Sequence, residues 1–359
     1  MSRLSRYFLD LWGVVLAAGE GKRLATFIQH AFGTKIPKQY VNFVGRRSML
    51  EHTFHRAERL IPQNRIVTIV SRRHTKYAEV RRQLLSRLKQ NVVMQPANKE
   101  TGPGVMLPLM HIYKRSREAI VAVFPADHFI WEEDRFIEHV SFAARRVARD
   151  PSHIILLAVK AQEPETEYGY VVPHGDLGAI DSYEVRRVAR FVEKPSASVA
   201  RSLVKAGGLW NTMIMVFKVK TLLQLVQKID PSVHQHFTRV FDAIGTYAEP
   251  NTVDEVYRNL EPLNFSKGIL EKISVIYPEA MSVLPVRKVF WSDWGSPERI
   301  IRVRERLSLT HTRASAREPT RNVPAGKGTL SKLLTRHDPL SSEPIFPIGH
   351  IDSVAKSRD

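Results

Sequence analysis

The sequence predicts an α/β protein: a Rossmann-like, mostly parallel sheet with helices on both faces, a small antiparallel excursion, and a disordered C-terminal tail. Three observations lead there. Short apolar runs, rich in valine and isoleucine, recur at residues 12–16, 66–70, 92–94 and 120–124. They lack the polar alternation of a half-exposed strand, so they read as strands buried on both faces. Between them, apolar residues return every three or four positions, as on the inner face of a helix. Past residue 159 the pattern changes to strand-like runs at 168–173 and 183–192 around a polar Gly/Asp break at 174–181, which suggests a hairpin.

In chain order, 12–16 is the first strand. Leu50, Phe54, Ala57 and Leu60 set a helix over 49–60, and 66–70 is the second strand. Tyr77, Val80, Leu84, Leu85 and Leu88 predict a helix leading into the third strand, 92–94. After a loop at 95–104, a helix over about 105–114 leads to the fourth strand, 120–124, which ends in Pro-Ala-Asp. A helix at 136–147 and a buried strand at 154–159 precede the hairpin, and 210–217 returns to the sheet. Helices follow at 220–228, 232–244 and 252–260, then a late strand at 281–285. A last helix covers 296–307, with Pro297 in its first turn, where the missing N–H has no partner to lose. From Ser308 onward there is no periodicity and Ser, Thr, Arg, Pro and Gly dominate. The tail at 308–359 therefore reads as disordered, apart from an apolar cluster at 345–351 suited to docking.

In open parallel sheets, ligands sit beyond the carboxyl ends of the strands. Gly19 and Gly21, the 95–104 loop and Asp127 all fall at such ends. Glycine lets main-chain N–H groups come close to a phosphate chain, and Lys22, Arg23, Lys35 and Lys38 add positive charge around it. Spacing excludes two familiar phosphate loops: position 24 is leucine where the dinucleotide fingerprint needs glycine, and Lys22 is followed by Arg23 where the P-loop needs Ser or Thr. Taken alone, Gly-x-Gly favours a plain tight turn over a ligand site.

The 359 residues suffice for one large α/β domain with an appendage, or for two domains. The absence of cysteine excludes disulfides and thiolate metal sites. Net charge is +18, of which the tail supplies +3 from eight Lys/Arg against five Asp/Glu. The body is thus strongly basic, which favours nucleic acid, an acidic surface or phosphorylated metabolites as partners. The densest basic run, 72–89, carries apolar residues at helical spacing and reads as a solvated helix face. The Arg-containing, apolar opening shares features with a secretory leader. Asp10 and Gly13 interrupt it, however, and cleavage there would remove the first strand, so a place in the fold and a cytoplasmic protein are expected. No apolar run has membrane-spanning length.

With these segments placed, eight motifs stand in order: LAAGEGKRL at 16–24, PKQY at 37–40, QPANKET at 95–101, FPADHF at 124–129, PETEYGYVV at 164–172, FVEKP at 191–195, LWNTMIMVF at 209–217 and WSDWGSP at 291–297. Together, over about residues 11–305, the chain resembles a sugar-1-phosphate nucleotidylyltransferase, most closely the mannose-1-phosphate guanylyltransferases. The resemblance implies one domain over 1–307, with a nucleotide-binding half at about 11–150 and a sugar-phosphate half at about 151–307. It also implies GTP and mannose 1-phosphate as substrates, GDP-mannose and pyrophosphate as products, and Mg²⁺ as cofactor. Nucleic acid and membrane are not expected as partners, and a homodimer stays open. Glucose 1-phosphate with UTP or TTP is the alternative pair. A basic regulatory protein that binds nucleotide or nucleic acid without catalysis is the alternative of another class. Where many relatives read Trp-Asn-Ser-Gly-Met, this chain has Trp210-Asn211-Thr212-Met213-Ile214, which leaves the hexose open.

The same resemblance assigns roles, each beside a plainer reading. Asp127 and Asp293 would share the Mg²⁺; otherwise they are a helix cap and a turn residue. Arg23 would hold the triphosphate and Lys38 would act as a point charge over it; otherwise both are solvated loop charges. Ala18, Gly19 and Gly21 would cradle phosphates. Gln95 and the backbone at Gly102 would read the base, although Gln95 otherwise merely ends its strand. Glu193 and Lys194 would face the sugar and its phosphate, or form an exposed ion pair. Gly169 would admit the hexose and Asn211 would bond a hydroxyl; the alternatives are a hairpin glycine and a strand-end asparagine. Lys272 is a further candidate for the sugar phosphate.

Overall fold

The computed structural model describes residues 10–175 and 183–315, with side chains as far as residue 307. The strands are β1 Leu11–Ala17, β2 Ile66–Ser71, β3 Val92–Gln95, β4 Ile120–Pro125, β5 Phe129–Ile130, β6 Ile154–Lys160, β7 Tyr170–Pro173, β8 Arg186–Val192, β9 Leu209–Lys218, β10 Met281–Val286 and β11 Trp291–Ser292. The helices are α1 Ala25–Phe32, α2 Met49–Glu58, α3 Ala78–Leu84, α4 Thr101–Arg115, α5 Glu133–Arg149, α6 Ala197–Lys205, α7 Val219–Ile229, α8 Pro231–Ala243, α9 Glu249–Asn259, α10 Glu271–Ile276 and α11 Pro297–Ser315.

Nine strands form one sheet in the order β3-β2-β1-β4-β9-β6-β10-β8-β7. β1 pairs in parallel with β2 and β4, β2 with β3, and β10 with β6. β9, from the later half of the chain, runs antiparallel between β4 and β6, so a single sheet passes through both halves. β7 and β8 form the antiparallel excursion. Consecutive side chains of β1 alternate between two apolar layers: Trp12 and Val14 pack into one, Leu11, Val15 and Ala17 into the other. A strand buried on both faces has to be apolar throughout, which is why this run reads as it does.

Several elements depart from the expected boundaries. The helix over 77–88 is broken: α3 stops at Leu84, short helical turns flank it, and Leu85 is left exposed. The loop expected to reach residue 104 ends early, because α4 starts at Thr101 and Pro103 fits a first helical turn. The last helix does not stop at 307 but continues to Ser315, so the tail begins later than its composition suggests. α1, α6 and α10 had no forecast, being short, although Gly33 closes α1 and the Ser196 hydroxyl caps α6. The first nine residues, most of the hairpin break at 174–181, and the tail from 316 with its apolar cluster lie outside the described residues. Among the described residues no helix is long and apolar enough to cross a membrane.

Two features of this fold place the site. The carboxyl ends of β1, β3 and β4 share one edge of the sheet, bringing the glycine turn, Gln95 and Asp127 to the same side. A two-stranded antiparallel ladder, Trp291 opposite Ile130 and Ser292 opposite Phe129, then draws the far end of the chain onto the segment after β4. Carried one step further, that register sets Asp293 opposite His128.

Candidate active site

The glycine turn is held by the segment that follows α1. Gly21 has φ 62°, in the left-handed region, and a Cβ there would lie 3.2 Å from the backbone nitrogen of Lys38. Both conformation and packing therefore select glycine. Gln39 is buried, and its Nε2 donates to the carbonyls of Ala17 and Gly19, each at 2.8 Å. The Tyr40 hydroxyl donates to Ala17 at 3.1 Å. These bonds satisfy carbonyls of the turn that a regular strand or helix would otherwise engage.

Lys38 is only 7% exposed, so it is not a solvated loop charge. Its Nζ lies 3.2 Å from Asp127 Oδ2 and donates to the carbonyls of Asp293 at 2.8 Å and Trp294 at 3.2 Å. His128 stands beside them, 3.7 Å from Asp127 Oδ1, with its Nδ1 accepting from Trp291 Nε1 at 3.2 Å. Burial lowers the His128 pKa, keeping the imidazole neutral near pH 7. Asp293 Oδ1 accepts from the Tyr168 hydroxyl at 2.7 Å, from Arg299 at 3.0 Å and from the Gly295 amide at 3.1 Å. Burial raises the Asp293 carboxyl, but Lys38, Arg299, Tyr168 and His128 together hold it below its ordinary value. Asp127 does not cap α5, whose N-cap position is Glu132.

Arg23 is largely exposed and reaches Glu167 at 2.7 Å, in the segment that also carries Tyr168. Ala18 is buried at the end of β1 and Gly19 is exposed beside it. Gln95 is 2% exposed, and its Oε1 has no hydrogen-bond partner. It sits 3.6 Å from where a Cβ on Gly104 would be. Gly102 has a reason of its own: its amide donates to Leu263 at 2.7 Å, and a side chain there would strike that carbonyl.

A second group forms where β7, β8 and β9 meet. A Cβ on Gly169 would lie 2.4 Å from Glu193 Oε2 and 3.4 Å from the Asn211 side chain, so the glycine makes room for the glutamate. The Asn211 backbone N–H donates to the Gly169 carbonyl at 2.8 Å, and the Asn211 side-chain Oδ1 accepts from Met213 N at 3.1 Å across an irregular step in β9. Glu193 is not an exposed ion pair. Burial pushes its carboxyl up to about 7, with Glu271 adding to the shift and Lys194 opposing it. Lys194 is exposed, with φ 47°, and its amide donates to Tyr168 at 3.2 Å. Lys272 is exposed on α10, one residue past Glu271, and is not drawn into this group.

Tyr168 joins the two groups. Its hydroxyl bonds Asp293, its carbonyl receives Lys194, and the next residue supports Glu193. Its ring packs edge-on against Trp210 and Trp291 at 5.0 and 5.5 Å. Tyr168, Gln39 and His128 lie within the motifs, yet their residue types and spacing alone assign them no role. Arg299 carried no signal, since a charge in the first turn of a helix reads as solvated.

The basic run at 72–89 is largely committed to partners within the protein, some of them far along the chain. Arg72 pairs with Asp254, Arg82 with Glu79 and Arg87 with Glu58, while Arg81 donates to the carbonyls of Thr75 and Lys76. The run is thus neither one helix nor wholly solvated, since Arg72 and Arg82 are exposed and ion-paired while Arg87 is buried.

The nucleotidyl transferase family model matches residues 12–308. An alginate biosynthesis protein AlgA from Pseudomonas fluorescens is 29% identical over 286 residues, covering 79% of this chain and 56% of that protein. A mannose-1-phosphate guanylyltransferase from Escherichia coli is 28% identical over 285 residues, covering 79% and 58%. The chain thus spans little more than half the length of these curated relatives. A solved structure described as mannose-1-phosphate geranyltransferase from Thermus thermophilus superposes with a TM-score of 0.65 at 26% identity, covering 80% of this chain and 76% of that one.

Proposed function

Because the chain belongs to the nucleotidyl transferase family, we propose that it transfers a guanylyl group from GTP to mannose 1-phosphate, giving GDP-mannose and pyrophosphate. The observation that carries this reading is Tyr168, which ties the phosphate-side group around Lys38, Asp127 and Asp293 to the sugar-side group around Gly169, Glu193 and Asn211. Two anionic substrates need two adjoining sites, and one residue here belongs to both. The choice of guanine and mannose leans on the names of similar proteins, and the unpartnered Gln95 Oε1 suits a base that presents an N–H donor edge.

A sugar phosphate is mostly dianionic near neutral pH, with a second pKa of about 6, so its oxygen attacks the α-phosphorus without a general base. The protein has to align attacker and leaving group and to offset negative charge. The glycine turn, fixed by Gln39, presents backbone N–H groups to the triphosphate. Arg23 gives up Glu167 to grip it, because a guanidinium matches phosphate oxygens two at a time. Lys38 supplies a buried positive charge where charge builds up. Glu193 and Asn211 orient the sugar, and Lys194 meets its phosphate.

The donor set fits magnesium. Asp127 and Asp293 both meet Lys38, the first through its carboxylate and the second through its backbone carbonyl, and both carboxylates act on His128; among the described residues no group of three or more His, Cys, Asp and Glu gathers into an all-protein cage. Magnesium takes one or two carboxylates and fills its shell with phosphate oxygens and water. Asp127, partly exposed, and Asp293 would hold it, and when bound it would neutralise charge on the bridging phosphates.

The test is to mix the protein with Mg²⁺ and each pairing of GTP, UTP or TTP with mannose 1-phosphate or glucose 1-phosphate, and to measure pyrophosphate and nucleotide sugar. Fastest turnover with GTP and mannose 1-phosphate is expected. A faster different pair would replace the substrates named here, and no turnover with any pair would overturn the reading.

A further inference from the structure

We infer that Arg299, together with the Tyr168 hydroxyl and the Gly295 amide, positions Asp293 for a divalent cation by loading Oδ1 with three donors, so that Oδ2, with one longer contact, is the oxygen offered to the metal. The inference rests on the metal site proposed above.

The asymmetry of the carboxylate is plain. Oδ1 receives three donors, at 2.7, 3.0 and 3.1 Å, whereas Oδ2 has a single long contact to Arg299 at 3.3 Å. An arginine facing one carboxylate usually meets it with two nitrogens in parallel. Arg299 does not, because its other terminal nitrogen is held by Glu165 at 2.8 Å. The guanidinium also lies over the Tyr168 ring, 4.5 Å from its centroid. Held at three points, it reaches both carboxylate oxygens through one nitrogen only, closer to Oδ1 at 3.0 Å than to Oδ2 at 3.3 Å. The neighbouring loop is cut to fit this arrangement: a Cβ on Gly295 would lie 2.6 Å from Asp293 Oδ2 and 2.8 Å from the Arg299 nitrogen. Any other residue at 295 would crowd the oxygen left open.

Arg299 acts here as a positioning residue, in the way outer partners fix the orientation of metal-binding side chains. A positive charge near a metal site also repels the metal, so the sign of the effect separates positioning from mere charge compensation.

Mn²⁺ serves as the probe, with free ion followed by EPR as protein is titrated in the presence of GTP, against GTP alone. If the intact chain holds no more Mn²⁺ than GTP does, or if Asp293→Asn holds as much as the intact chain, the metal site itself is wrong. With that site standing, Arg299→Ala and Tyr168→Phe are each expected to weaken Mn²⁺ binding about 10- to 100-fold. Tyr168→Phe keeps the ring and its packing, so it carries the test if Arg299→Ala does not fold. Unchanged or tighter Mn²⁺ binding in a folded variant would overturn the inference.

Discussion

Lys38 Nζ lies 3.2 Å from Asp127 Oδ2, and this contact joins the segment after the glycine turn to the carboxylate at the end of β4. The same ammonium donates to the carbonyls of Asp293 and Trp294, so one buried charge binds three parts of the chain together.

Lys38→Met is accordingly expected to lower the rate of pyrophosphate release by roughly 100- to 1,000-fold, the usual size of one preorganised electrostatic contact. KM for the sugar phosphate should change little. Steady-state kinetics checks both, and a loss of less than about tenfold would remove Lys38 from the reacting centre.

Gly169→Ala brings a methyl group within 2.4 Å of Glu193 Oε2. The glutamate tip can move, so the fold should survive while the sugar side is disturbed. The expected result is a KM for the sugar phosphate raised at least about tenfold, equivalent to about 1.4 kcal/mol, with KM for the nucleotide close to unchanged. Equal weakening of both substrates would place Gly169 elsewhere.

Gly21→Ala forces a Cβ into the left-handed region against the Lys38 backbone, 3.2 Å away. A loss of about 1–3 kcal/mol is expected in urea unfolding, from strain at a single residue. A change under about 0.5 kcal/mol would mean that the turn relaxes freely.

Glu193 has a pKa raised to about 7, chiefly by burial, from an ordinary value of 4.5. The folded state therefore keeps its proton where the unfolded chain has lost it. Glu193 costs no stability below pH 4.5, its contribution falls as pH rises from there to about 7, and it stays low above that. Glu193→Gln should remove this component. The difference in melting temperature between variant and parent should grow between pH 5 and pH 8 in favour of the variant. A difference that does not vary with pH would contradict the shifted carboxyl.

Local patterns in the chain were enough to mark most strands and several helices. Runs such as residues 12–16 have to be apolar on both sides to lie between two helical layers, and that requirement shows directly in the residues. The charges and glycines gathered at strand ends also marked where a site could be. Other features depend on contacts that no local pattern records. The ladder between β5 and β11 brings Asp293 to His128, and nothing in either segment specifies the other. A solvated loop charge was the plainer reading of Lys38 and nothing in the sequence marked Arg299, yet each is drawn inward by a partner distant in sequence, Asp127 for the lysine and Glu165 for the arginine. Periodicity reports which face of an element is buried. Which carboxylate meets which cation depends on how the elements pack, and only the tertiary structure decides that.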